Sequence, residues 1–447
     1  MPSITDIAPA CYGRRAPTIR RAGRSSRDCY PAVIPNQRER NPWSGAWRWL
    51  LVLLALGIVG VVVWLVATLG HTSFKGGRAS PPVTSVPVVP PSGALRVAGN
   101  QVLDSTGRQY IPYGFVVWCL SSPDLSCVQS SSTNPNTDGD KIRAAASFWH
   151  ANTIRIQVAW QHLFVGTSTT VDRSYLAQLD SEVALVRSLH MLSILTLQTE
   201  RYHGSIMPDS HAVSFWSVMA RHYASDPTVG FDLFNEPRLN AKHWPGWTET
   251  GMWAIWRNGG SVTLTGDSTP TTFVGMQQLV DTIRTAGAAN VVVAEGNQTD
   301  HDLSLLPQYT LTGNDITYGM EPDLGRGVSF PYADDTPRLW ATSWGTLSET
   351  YPIMMEAFQD YPGASLCNPR SPQLFPQLLE ALQADHLGMI FYSLDPGIGV
   401  VGNDLQQPTS FDGVTRLDCS ANLATNTAGP GADLLGWFRA NSSPLGG

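Results

Sequence analysis

The chain has 447 residues, of which 43% are apolar, 9% aromatic and only 15% charged. Such an apolar share excludes a disordered chain, and a charged fraction below the usual value of about 25% describes a neutral, polar surface. The net charge of -7 is unevenly spread: residues 1–48 hold nine Arg, no Lys and three acids, which leaves the remainder at -13 and argues against nucleic acid as a partner.

In chain order, residues 1–48 read as a basic cytoplasmic tail without stable structure. Next comes Leu50–Leu69, 20 residues without a charge. At about 1.5 Å per residue it can cross a hydrocarbon core of roughly 30 Å. Trp47 and Trp49 flank it as interfacial aromatics, with Arg38, Arg40 and Arg48 before it. The positive-inside rule then sets the N-terminus in the cytoplasm and the rest of the chain outside. A cleaved signal peptide would carry an apolar region of only about 7–15 residues. Residues 49–70 therefore read as an uncleaved signal-anchor helix in the cell membrane, with secretion as the result if it is cut. Residues 71–93 follow as a proline-rich linker, whose part 79–93 has five prolines and no charge and makes an extended spacer.

Residues 94–447 read as one body. It opens on LRVAGNQVLDSTGRQYIPYG, where GN and STG are turn signals between short alternating runs, a β-hairpin cap. Strand candidates follow at Tyr113–Trp118, Thr153–Val158, Leu192–Leu197, Gly230–Phe234, Asn290–Ala294, Ile316–Met320, Ile353–Met355 and Met389–Tyr392. Helix candidates lie between them at Asp140–His150, Tyr175–His190, Val213–Tyr223, Thr271–Ala286, Leu339–Glu349, Leu374–His386 and Ala432–Ala440, with a weak one near Asp302–Leu306. Strands that alternate with helices eight times predict an α/β fold, a single (β/α)8 TIM barrel. Of the cysteines, Cys11 and Cys29 fall on the cytoplasmic side and stay reduced. Cys119, Cys127, Cys367 and Cys419 fall outside; the short loop favours Cys119–Cys127, which leaves Cys367–Cys419, against four buried free thiols.

In such a barrel the reacting groups sit where strands end. The fourth strand candidate ends FDLFNEPR, placing Asn235 and Glu236 at the mouth, with Pro237 stopping the strand. The seventh reads YPIMMEAF and ends at Glu356, and the second, TIRIQVAW, holds Arg155. Two carboxylates at one mouth suit glycoside hydrolysis, where one must donate a proton to the leaving oxygen and the other must be ionised. Arg155 can lower the pKa of one while burial raises the other.

FDLFNEPR resembles the asparagine–glutamate–proline signature of glycoside hydrolase family 5, the cellulase family within the retaining (β/α)8 clan. The opening hairpin and YPIMMEAF are similar to that family too, so the resemblance runs from residue 94 to about 440. It implies Glu236 as general acid/base, Glu356 as nucleophile, Asn235 on the sugar 2-hydroxyl, and Arg155 beside the nucleophile. The flanking positions depart from the family: Gln198 ends the third strand where His is usual. The sixth reads YGMEPDL, with Tyr318, Glu321 and Asp323, in place of a His-x-Tyr pattern, and Tyr392 stands where the eighth strand usually has Trp. These changes bear on the sugar bound rather than on the reaction.

Aromatic residues add platforms for pyranose faces. Trp118 and Trp160 end the first two strands. A long insertion at 239–266 carries Trp244 and Trp247 as further substrate candidates, with Trp253 and Trp256 read as the small core of that loop. Two patterns carry nothing. GIGVVG at 397–402 opens no helix, and NPNTDGD at 134–140 has Ala145 where a calcium loop needs Glu. No metal and no cofactor is implied. The expected function is a monomeric retaining β-glycoside hydrolase acting on an extracellular polysaccharide of the β-glucan or β-mannan class. The alternative is a catalytically inactive cell-surface glycan-binding protein on the same fold.

Overall fold

β1 (Arg96–Ala98) and β2 (Gln101–Leu103) pair antiparallel, as the turn signals require. Barrel strands follow: β3 (Tyr113–Val117), β4 (Thr153–Val158), β5 (Leu192–Leu197) and β6 (Val229–Asp232). An antiparallel pair, β7 (Gly259–Val262) and β8 (Thr271–Val274), interrupts them. Then come β9 (Val292–Glu295), β10 (Ile316–Met320), β11 (Ile353–Met355) and β12 (Met389–Phe391). The computed structural model describes residues 93–445 except 124, 126, 128–135, 167, 199–204, 325–336, 360–366, 397–398 and 421–426. The basic tail, the apolar segment Leu50–Leu69 and nearly all of the linker lie outside the described residues. Among the described residues no helix is long and apolar enough to cross a membrane.

Eight strands form one parallel sheet in the order β11-β10-β9-β6-β5-β4-β3-β12. It closes just past β11, where Phe358 N donates to Ile390 O at 3.0 Å and accepts at its carbonyl from Tyr392 N at 2.9 Å. The result is a (β/α)8 barrel. Every residue of these eight strands is buried, as expected for a sheet enclosed on both faces. Inward-pointing Val116, Leu192, Ile194, Val291, Val293, Met354 and Ile390 form an apolar layer with Leu95, Val102 and Tyr110 of the hairpin cap. The cap thus plugs the N-terminal end of the barrel, and the polar interior is left to the other end.

Among the described residues, seven principal helices surround the sheet: α1 (Asp138–Ser147), α2 (Arg173–Ser188), α3 (Ser210–Tyr223), α4 (Glu249–Asn258), α5 (Met276–Thr285), α6 (Ser371–Ala384) and α7 (Gly431–Asn441). Side-chain caps start several of them. Thr137 and Asp140 close a capping box on α1, and Asp172 and Asp209 cap α2 and α3.

Three sequence expectations change. Residues 271–274 are a strand, not the start of a helix, because β-branched Thr271, Thr272 and Val274 pair with β7; the helix begins only after Gly275. A Cβ at Gly275 would meet Arg257 O and Gly259 N at 2.4 Å, so only glycine lets these backbones approach. The segment Leu339–Glu349 is helical but broken by a wide π turn at Ala341–Gly345, where Thr342 bonds back to the carbonyl of Arg338. The weak fifth helix shrinks to Leu306–Tyr309, and ahead of it Gln298, Thr299 and Asp300 take left-handed φ values of 58°, 60° and 59°. Both expected disulfides are present, Cys119–Cys127 with Cα atoms 5.3 Å apart and Cys367–Cys419 with Cα atoms 5.8 Å apart.

Candidate active site

Because the barrel strands are parallel, their C-terminal ends share one mouth. Trp118 follows β3, Trp160 lies just past β4, Gln198 follows β5, and Asn235 and Glu236 lie just past β6. Glu321 follows β10, Glu356 follows β11 and Tyr392 follows β12. Tyr318 is a correction. Side chains alternate along β10, so Gly319 faces Glu295 while Tyr318 points to the helix layer, where its hydroxyl accepts from Leu311 N at 3.0 Å and its ring meets Tyr351 edge-on. It does not reach the mouth.

Arg155 is the hub of the polar interior. Its Nη2 donates to Asp232 Oδ2 at 2.6 Å and to Asn235 Oδ1 at 3.1 Å, and it also bonds Glu295 Oε1. Its Nε lies 3.3 Å from Glu356 Oε2. Arg155, Asp232, Glu295 and Glu356 are all 0% exposed. The guanidinium is therefore covered, and it acts on the carboxylates rather than on a sugar directly. Burial opposes its charge, but Asp232, Glu295 and Glu356 hold the proton on and raise its pKa further. Burial pushes Glu356 well above the ordinary carboxylate range, with Asp232 adding to the rise and Arg155 opposing it. Glu295 is pushed up for the same leading reason. One guanidinium cannot balance three buried carboxylates, so the group retains protons that free carboxylates would lose.

Glu236 differs in exposure and backbone. It sits at φ 52°, in the left-handed region between the end of β6 and Pro237, and its N–H donates to Glu295 Oε2 at 2.5 Å. Its side chain is 18% exposed, with Oε2 3.9 Å from Arg238 Nη1. Of the two expected catalytic carboxylates, Glu236 faces the opening and Glu356 lies beneath it. Asn235 keeps its Nδ2 buried without a hydrogen-bond partner among the described residues, a donor available at the mouth.

The flanking candidates divide. Gln198, Glu321 and Asp323 are 3%, 2% and 1% exposed, so they line the walls behind the surface. Burial pushes Glu321 well up, and the charge of Glu236 beside it adds to the rise. Trp118 is half-buried, with its indole N–H on Asp395 Oδ2 at 2.9 Å. Trp160 stacks on His211 at 4.0 Å, which occupies one ring face. Tyr392, Trp244 and Trp247 are half-buried. Trp253 and Trp256 are fully buried and bond Asp302 and the Glu295 carbonyl, so they are the core of the insertion as expected.

Sequence reasoning missed Asp232, Glu295, Asp300 and His301. The sequence carries a signal for Glu295: the fifth strand candidate ends at Ala294, and the strand runs one residue further, to a carboxylate.

Known proteins place this architecture. A beta-glucanase from Saccharophagus degradans, solved in complex with cellotetraose, superposes with a TM-score of 0.55 at 17% identity, covering 82% of this chain and 100% of that one. A hyperthermophilic endocellulase from the archaeon Pyrococcus horikoshii gives a TM-score of 0.52 at 14% identity, covering 72% of this chain and 97% of that one. At such identities the likeness concerns the fold alone. No curated protein sequence matches this chain. The family model for cellulase, glycosyl hydrolase family 5, matches residues 122–359, more than half of the chain and a span that includes both Glu236 and Glu356. This chain belongs to the cellulase family, glycosyl hydrolase family 5, and is a glycoside hydrolase.

Proposed function

We propose that this hydrolase cleaves an extracellular β-glucan or β-mannan with retention, by double displacement between Glu236 and Glu356. The observation that carries the reading is Glu356, buried just past β11 with Arg155 Nε 3.3 Å away, on the same mouth as the partly exposed Glu236. Protonated Glu236 gives its proton to the glycosidic oxygen as that bond breaks, while the Glu356 carboxylate forms a bond to the anomeric carbon. Water then attacks the same carbon; Glu236 takes its proton, and the ester to Glu356 breaks. Arg155 favours the ionised form of Glu356, while burial holds a proton on Glu295. Asn235 Nδ2 donates to the sugar 2-hydroxyl, and Trp118, Trp160, Trp244, Trp247 and Tyr392 offer ring faces around the opening. Because Glu356 is fully covered, productive binding requires the mouth to open above it. The β-glucan assignment draws on the beta-glucanase and endocellulase folds it resembles.

Azide rescue tests the roles. With an aryl β-glycoside bearing a good leaving group, Glu236→Ala still forms the intermediate, and azide restores turnover with a β-azide product. Glu356→Ala lacks the nucleophile, so azide enters from the opposite face and gives the α-azide. Reversed products would exchange the two roles, and unchanged activity in both variants would place the site elsewhere.

We also propose that Leu50–Leu69 holds the hydrolase outside the cell membrane. Its length, the flanking arginines and two disulfides in the barrel unit, which suit an oxidising compartment, support that placement.

A further inference from the structure

A second buried cluster lies beside the mouth, outside the hydrolytic scheme. His301, Glu321 and Asp323 each contribute one ligand-type atom, and these atoms all lie within 4.8 Å of one another. All three residues are buried, at 3%, 2% and 1% exposure. The left-handed turn through Gln298, Thr299 and Asp300 replaces a helix after β9 and delivers His301, and the chain leaving β10 delivers the two carboxylates.

The imidazole is oriented from behind. Its Nδ1 contacts the carbonyl of Thr299, which can only accept, so Nδ1 carries a hydrogen and Nε2 faces the carboxylates. A backbone carbonyl holding the far ring nitrogen is the usual support of a metal-binding histidine. Asp323 is held similarly: its Oδ1 accepts from Gln359 N at 2.8 Å, which leaves Oδ2 on the His301 side, 3.3 Å from Nε2. That separation is the edge of a tetrahedron with metal–ligand bonds of about 2.0–2.1 Å.

The charge balance points the same way. Glu321 Oε1 is buried with no hydrogen-bond partner among the described residues. An imidazolium at His301 could balance Asp323 alone, and Arg155 is already shared among Asp232, Glu295 and Glu356. Buried carboxylates are stable when paired or bound to a metal. We propose that His301 Nε2, Glu321 and Asp323 Oδ2 bind one divalent transition ion of the Zn2+ or Mn2+ type, whose two positive charges balance the two carboxylates. One imidazole with two carboxylates suits these ions better than an all-oxygen Ca2+ or Mg2+ site. The ion would pin the turn after β9 to the end of β10.

The test is direct and independent of hydrolysis. Full-length protein without a histidine tag is stripped with chelator, then titrated calorimetrically with Zn2+, Mn2+ and, for comparison, Ca2+. One equivalent of Zn2+ or Mn2+ is expected to bind and to raise Tm by about 3–6 °C at saturating ion. His301→Gln and Asp323→Asn should each weaken that binding at least about 100-fold, and Co2+ bound to the wild type should lose its visible absorption bands in His301→Gln. Circular dichroism of the stripped variants shows which are folded; if one is not, Glu321→Gln takes its place. Absence of stoichiometric Zn2+ or Mn2+ binding by the wild type overturns the proposal. Binding undiminished in the folded variants does so too, and binding of Ca2+ alone overturns the assigned class of ion.

Discussion

Glu295 Oε2 accepts the backbone N–H of Glu236 at 2.5 Å, while Glu295 Oε1 bonds the Arg155 guanidinium that also faces Glu356. One buried side chain thus fixes both expected catalytic carboxylates. Glu295→Ala is predicted to cost about 3 kcal/mol of stability, because it leaves the N–H and part of the guanidinium unsatisfied. Glu295→Gln retains one of the two acceptors and turns its amide NH2 toward the other donor, so it should lose less stability than Glu295→Ala. Denaturant melts of the two variants check this; equal losses would make Glu295 a mere space-filler.

The pH dependence has a definite sign. Burial raises Glu356 well above the usual value for Glu of about 4.3, and the nucleophile must be ionised. The rate kcat/KM should therefore fall as pH drops through that raised value, so the acidic limb lies above the ordinary carboxylate range. For stability, the folded chain holds protons on Glu295 and Glu356 up to a higher pH than the unfolded chain does. Their contribution is complete below the unfolded carboxylate pKa and declines as pH rises through the folded values. Tm should be higher at about pH 5 than at about pH 8; a steady rise over that interval would contradict it.

The tryptophans should separate into two classes. Trp244→Ala and Trp247→Ala remove half-exposed rings and are expected to raise KM on a soluble β-glucan about 3–10-fold with little change in kcat. Trp253→Ala and Trp256→Ala empty a buried site and should cost about 3–5 kcal/mol. Kinetics and melts on all four variants would expose any exchange of roles.

The disulfides differ in loop length. Cys367–Cys419 spans 52 residues and Cys119–Cys127 spans 8. On chain-entropy grounds their loss costs about 4 and about 2.5 kcal/mol. Tm should fall further in Cys367→Ala than in Cys127→Ala, measured under oxidising conditions.

Membrane placement predicts that the full chain stays with membranes after a carbonate wash and is freed by detergent. Protease added outside intact cells should digest the barrel. Val61→Arg puts a charge at the centre of the apolar segment, costs about 2.5–3.5 kcal/mol of insertion, and should shift protein to the soluble fraction.

The strand and helix rhythm of the barrel was legible because it is local. Runs such as TIRIQV and LSILTL sit between turn signals, Pro237 ends the fourth strand, and the rule that chemistry gathers at strand ends brought out Glu236 and Glu356. Tertiary structure alone decided which face each side chain took and which charges met. Tyr318 fell on the outer face of β10, a matter of one residue of register. Arg155 meets Asp232 across 77 residues of sequence and Glu295 across 140, and no local pattern encodes such distances. His301, Glu321 and Asp323 lack any metal-ligand spacing for the same reason. They converge because adjacent parallel strands bring their ends to one mouth, and a left-handed turn, in place of a helix, carries the histidine back to it.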